Sequence, residues 1–335
     1  MTSILIPFFS LLVPLLGPTL DPSAQPAQPA QPAGGPGGSA YVHQTVVFTD
    51  HADDPDGYWL FTPADPVPDT AQVLVFLHGY GGYNPMIYGG WIDHLVKRGH
   101  VVIYPRYQKD MWHPRPSQFA PNSAKAIRDA LGYLQTTNTV IDTSHFSIVG
   151  HSYGGVIGAD LTANWTDYGI PKPKSLFLVS PGTGPLKGGR LSSYEGLAED
   201  LKLLVITSTG DRVVGDEFGR LVYETATNTT ERNYLVQDRD DHGSPAVSNG
   251  HNESYSLNLA YDNGATNWTS KRARRIGHTG AVDYFGYWKL YDALLVYTRT
   301  SKQRAYAFGD TPEQRSLGVW ADGTAIKPLW VEVPE

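Results

Sequence analysis

The stretch that most constrains this chain is Phe146-Ser147-Ile148-Val149-Gly150-His151-Ser152-Tyr153-Gly154-Gly155. A short apolar run reads as a buried strand, and a Gly-x-Ser-x-Gly turn closes it. Val156, Ile157, Ala159 and Leu161 then carry a helix away. A serine between strand and helix at so tight a turn sits in strained backbone. Gly150 and Gly154 remove the Cβ atoms where the two elements crowd together. The helix aims its first amides and the positive end of its dipole at Ser152, where negative charge would be received. A five-residue pattern of this kind arises by chance in glycine-rich chains, and this one has 35 glycines. Its meaning therefore rests on the partners the rest of the chain supplies.

The chain has 335 residues, 41% hydrophobic and 18% charged, which suits one large globular domain. A net charge of −7 and the lack of a basic stripe exclude nucleic acid as a partner. The densest basic run, Lys271-Arg272-Ala273-Arg274-Arg275, is short and reads as a solvated loop. No cysteine is present, which removes disulfides, thiolate chemistry and thiolate metal sites.

Ile4 to Gly17 is apolar but too short to span a bilayer comfortably. It resembles the hydrophobic core of a secretory signal, with small residues at Ser23-Ala24 as a cleavage point. No Lys or Arg precedes it, and Pro7 and Pro14 interrupt it. The expected organisation is an apolar or signal segment over residues 1–22, a Pro/Ala/Gly linker over 23–40, and one domain over 41–335. The linker has nothing to bury, so it should be extended or disordered and act only as a tether. A working signal implies an extracellular or periplasmic protein, and its failure a cytoplasmic one.

Within the domain, Tyr41 to Thr49 and Tyr58 to Thr62 read as opening strands on either side of an acidic turn. Val73 to Leu77 is an unbroken apolar run, as expected of a strand buried on both faces, and ends in His78-Gly79-Tyr80-Gly81-Gly82. A short helix over Trp91 to Arg98 and a strand over Val101 to Tyr104 follow. Ala124, Ile127, Leu131 and Leu134 recur at helical spacing before the elbow strand. Ser175 to Val179, Leu203 to Ile206 and Glu231 to Gln237 read as three further strands, and Tyr284, Trp288, Tyr291 and Leu295 mark a closing helix. This alternation predicts an α/β protein with a mostly parallel, doubly wound sheet. About two dozen residues separate Val179 from Leu203, room for only a small cap. The polar stretch from Gly243 to Gly280 reads as surface decoration. It holds two of the four N-x-S/T sequons, at Asn252 and Asn267, the others being Asn164 and Asn228. A last strand over Pro328 to Val333 closes the chain.

With these pieces in place, the chain from Tyr41 to Arg299 resembles an α/β-hydrolase of the esterase, lipase and cutinase kind. That resemblance implies a triad running Ser, Asp or Glu, then His along the chain, with an oxyanion donor after the third strand. Ser152 would be the nucleophile. The amide of Tyr153 would supply one oxyanion donor and that of Tyr80 the other, with Gly81 as the alternative. Thr209-Gly210-Asp211-Arg212-Val213 resembles the acid element and points to Asp211, although a glycine directly precedes the aspartate, which leaves Asp216 as the alternative. His242, a few residues past the strand ending at Gln237, is the first choice for the base. His251 is the alternative, and His278 lies further off. No cofactor or metal is required for such chemistry.

The resemblance implies a serine esterase acting on small-molecule, lipid or polymer esters, with no protein partner evident and no stable membrane span. A peptidase or amidase on the same fold, or a catalytically silent binding protein, are the rival readings. Tyr80, Tyr83, Tyr88, Trp91 and Trp112 either line an apolar cleft or belong to the core.

Overall fold

The computed structural model describes residues 25–334, so the expected signal segment over residues 1–22 lies outside them. The apolar runs become strands that serve two cores at once. In β3 (Ala71–Leu77), Leu74 and Phe76 face one side of the sheet, and Val73, Val75 and Leu77 face the other. The same alternation holds in β5 (Ile141–His151), β6 (Ser175–Val179) and β7 (Lys202–Ser208). Strand residues this apolar on both faces need helices on both.

Helix α1 (Gly89–Lys97) covers one face with Trp91, Ile92 and Leu95. Helix α2 (Pro116–Leu134) and α3 (Tyr153–Ala163) cover the other with Ile127, Val156 and Ile157. The short α4 (Trp165–Tyr168) follows, and α5 (Glu217–Thr225) packs beside α3's face through Val222. The α6 helix (Trp268–Ile276) packs against the turn at Pro85–Tyr88, and α7 (Trp288–Thr300) joins α1 through Leu290, Tyr291 and Leu294.

The sheet has nine strands in the order β1-β2-β4-β3-β5-β6-β7-β8-β9, with β1 at Thr45–His51, β2 at Tyr58–Ala64, β4 at His100–Pro105, β8 at Glu231–Gln237 and β9 at Trp330–Glu332. Strands β3 to β8 run parallel, and β1, β2 and β9 are antiparallel additions at the two edges. The architecture is α/β with a mostly parallel sheet. Among the described residues no helix is long and apolar enough to cross a membrane.

Two expectations are corrected. Residues 25–40 are extended, as their composition requires, but they are docked on the domain rather than free. Pro26 accepts from the Ser244 amide at 2.9 Å, Ala27 from the Ala321 amide at 3.0 Å, and the Gly37 amide donates to the buried Asp292 at 2.7 Å. The stretch from Gly243 to Gly280 is not decoration. It buries Val247, Tyr255 and Tyr261, forms α6, and returns hydrogen bonds to the start of α1 through Ser256, whose hydroxyl accepts from the Trp91 amide at 2.9 Å.

Candidate active site

The parallel strands deliver their following loops to one end of the sheet, where ligand sites of open α/β sheets lie. Ser152 comes from the turn after β5, with φ 56° and ψ −123°. This left-handed backbone is costly for a residue with a Cβ and holds only because its neighbours enforce it. A Cβ at Gly150 would lie 2.4 Å from the Gly154 carbonyl oxygen, and one at Gly154 would lie 2.1 Å from that of Leu77. The two glycines are thus demanded by strand–helix contact.

Ser152 Oγ lies 2.8 Å from His251 Nε2, and His251 Nδ1 lies 2.7 Å from Asp211 Oδ2. Both His251 and Asp211 are buried. Burial pushes the Asp211 carboxyl up, but the hydrogen bond and charge of His251, together with the amides of Val213 and Val214, outweigh it and hold the group below its ordinary value. Those amides donate to Oδ1 at 2.8 and 3.1 Å, leaving Oδ2 for the histidine.

His242 is not brought to the serine. Its Nε2 meets Asp322 Oδ2 at 2.8 Å on the exposed side of the molecule, and its amide donates to Asp240. The physical reason is an excursion of the chain after β8. Asp240 and Val247 pair as an antiparallel bridge, so the residues between them, His242 included, loop out to solvent. Past Val247 the chain returns inward, with the Ser248 carbonyl accepting from Gln237 Nε2, and delivers His251 to Ser152. Asp216 also stays away, exposed at the start of α5 and paired with Arg220 at 3.5 Å. His278 is exposed.

The loop after β3 brings Gly79 against the serine, where an added Cβ would lie 3.2 Å from Ser152 Cβ. The Gly81 amide is occupied, donating to Gln108 Oε1 at 2.7 Å, so the alternative donor is already spent. The Tyr80 and Tyr153 amides donate to no other group among the described residues, and both residues line the pocket beside Ser152.

Sequence reasoning missed a chain of contacts beneath these loops. The Gly79 amide donates to Tyr88 Oη at 3.0 Å, and Tyr88 Oη donates to His151 Nδ1 at 2.8 Å. His151 Nε2 donates to the His251 carbonyl at 2.8 Å. Burial, and next the nearby His251, push the His151 imidazole down to about 3, so it stays neutral with its proton on Nε2. One buried tyrosine and one buried histidine therefore tie the β3 loop, the serine turn and the His251 loop together. No sequence signal marks Tyr88 for this, because its partners come from the β3 loop and the serine turn, which only the fold brings to it.

Beside Ser152 lies a pocket of about 590 Å³, walled by Met111, Leu186, Val213, Val214, Tyr255 and Trp268 among others. Residues Gly182 to Leu186, in the stretch between β6 and β7, form one wall. Of the aromatics expected at the mouth, Tyr80 lines the pocket, Tyr88 and Trp91 are wholly buried in the core, and Trp112 is 84% exposed. In comparisons with known proteins, no family model matches the chain and no curated protein is similar enough to count as a relative.

Proposed function

We propose that this protein is a serine hydrolase of the α/β-hydrolase fold that cleaves carboxylic esters. The observation that carries the reading is the continuous chain from Ser152 Oγ through both nitrogens of His251 to Asp211. Its order along the sequence, serine then aspartate then histidine, and the open amide after β3 support the finer fold assignment.

In this reading His251 Nε2 takes the Oγ proton as Oγ bonds to the ester carbonyl carbon. The carbonyl π electrons move onto oxygen, which the Tyr80 and Tyr153 amides receive. Asp211 accepts Nδ1–H, fixes the tautomer and favours the imidazolium. Collapse breaks the bond to the alkoxyl oxygen, and the alcohol leaves with the proton from His251. Water then repeats the sequence on the acylated Ser152 and releases the acid. The apolar pocket wall suits an acyl chain or an aromatic ring.

A fluorophosphonate should label the protein, and Ser152→Ala should abolish both labelling and turnover of 4-nitrophenyl acyl esters. Ester hydrolysis that survives in Ser152→Ala would sink the mechanism. Faster turnover of peptide amides than of esters would replace the ester reading with the amidase one.

A further inference from the structure

Helix α6 carries Trp268, Lys271, Arg272 and Arg275 at positions i, i+3, i+4 and i+7, which places them on one face. Ser270 and Ala273 occupy the buried face. Arg274, on neither, pairs with Asp262. Lys271, Arg272 and Arg275 make no ion pair and no side-chain hydrogen bond among the described residues, in a chain of net charge −7. Glu253 lines a recess together with Arg272 but makes no ion pair with it. Both Glu253 oxygens are engaged elsewhere, one by the Gly250 amide at 3.0 Å and the other by the Ser248 hydroxyl.

Trp268 and Arg272 also line the pocket beside Ser152. Among its lining residues Arg272 alone bears a fixed charge, and no carboxylate stands among them. The helix is held at the mouth by bonds to the β3 loop: Thr269 Oγ1 donates to the Tyr80 carbonyl at 3.0 Å, and Asn267 Nδ2 to that of Gly81 at 2.8 Å. The same segment that braces the oxyanion loop therefore presents an unpaired guanidinium to whatever enters.

We propose that the substrates of this site are esters carrying a carboxylate or phosphate group away from the scissile bond, and that Arg272 is the residue that selects them. This rests on the ester-hydrolase reading above. A guanidinium recognises such oxyanions through paired N–H donors, and Trp268 beside it offers an apolar face for the chain between anion and ester.

The test compares anionic and neutral esters of matched size with the full chain. On the acyl side these are 4-nitrophenyl hydrogen adipate and suberate against 4-nitrophenyl hexanoate and octanoate. On the alcohol side they are 4-acetoxybenzoate against its methyl ester. Arg272→Gln should lower kcat/KM for the anionic member of at least one pair by about fivefold, near the ceiling for an exposed charge pair, and change the neutral member less than twofold. Arg272→Glu should lower it further, and salt well above physiological strength should erase the preference. Because Arg272 is exposed and unbonded, both variants should keep the wild-type melting temperature.

Equal loss on both members of both pairs, or no loss, overturns the assignment of Arg272 while leaving the hydrolase reading intact. No turnover of any ester by the unaltered protein overturns that reading, and this proposal with it. Sedimentation with phosphatidylglycerol vesicles covers the remaining possibility. If Lys271→Gln/Arg272→Gln/Arg275→Gln releases the protein from vesicles without altering ester preference, the face docks an anionic surface and the substrate proposal fails.

Discussion

Asn249 lies over Gly210 so closely that a methyl group on Gly210 would sit 2.4 Å from Asn249 Oδ1 and 2.7 Å from its carbonyl oxygen. Gly210 directly precedes Asp211, and Asn249 stands two residues before His251, so this contact is where the Asp211 and His251 loops are pressed together. Asn249 Nδ2 bonds Thr209 Oγ1 at 2.8 Å across the same seam. Gly210 is thus required by the packing of these loops. Gly210→Ala should push the His251 loop outward and lower kcat by about 10- to 100-fold, since a shift near 1 Å at reacting groups has that cost. The measurement is kcat per site titrated with a fluorophosphonate. An unchanged value would show that this seam does not set the triad geometry.

His251→Ala should reduce kcat by about three orders of magnitude or more, as loss of a triad histidine does. His242→Ala should stay within twofold, because it loses only a solvent-exposed contact with Asp322. Parallel kinetics on the two variants distinguish them, and the opposite ranking would return the base to His242.

The contrast shows what the sequence could and could not carry. The strands β6 and β8 fall where their apolar and alternating runs place them, and the Ser152 turn is dictated by glycines whose Cβ atoms have no room. These are local effects. The choice of His251 over His242 depends on the Asp240–Val247 bridge, which pairs residues seven apart and turns the intervening chain outward. Distance from the end of β8 carries no record of that excursion. The density of charge around His242, at Asp238, Arg239, Asp240 and Asp241, was the one local sign that it belongs in solvent. Residues 25–40 misled for a different reason. Their composition offers little to bury, and they are held through backbone carbonyls and amides, which every residue possesses.

Tyr88→Phe keeps the ring in its buried place and removes only Oη, leaving the Gly79 amide and His151 Nδ1 without partners. Two unsatisfied buried groups should lower stability by roughly 2 kcal/mol. If the tyrosine positions the loops, kcat per titrated site should also fall about tenfold with KM nearly unchanged. A stability loss with kcat per site intact would make the link purely structural.

Gln28 sits in the docked N-terminal stretch and bridges two loops. Its Nε2 donates to the carbonyls of Pro245 and Ala246 at 2.8 and 3.1 Å, and its Oε1 accepts from the Ala281 amide at 2.9 Å. Gln28→Ala should cost about 1–3 kcal/mol, read from denaturant midpoints at constant slope. Wild-type stability in that variant would mean that the stretch does not hold those loops.

Lys289, on α7, is buried, and its Nζ lies 2.8, 2.9 and 2.6 Å from the carbonyl oxygens of Glu313, Gln314 and Ser316, fastening the C-terminal segment to the domain. Burial pushes its pKa from 10.5 down to about 7. The sign of the pH effect follows from proton counting. Between about 7 and 10.5 the unfolded chain holds this proton and the folded chain does not, so stability rises with pH across that window. The contribution is complete above 10.5 and is lost as the pH falls through about 7. Lys289→Met removes both the titration and the three bonds. The variant should be less stable by about 2–3 kcal/mol at neutral pH. Its deficit relative to wild type should widen towards pH 10, by up to about 1.4 kcal/mol per unit. Chemical denaturation of both proteins at pH 6, 8 and 10 tests this, and a deficit that stays constant as the pH rises would show that the lysine stays charged in the fold.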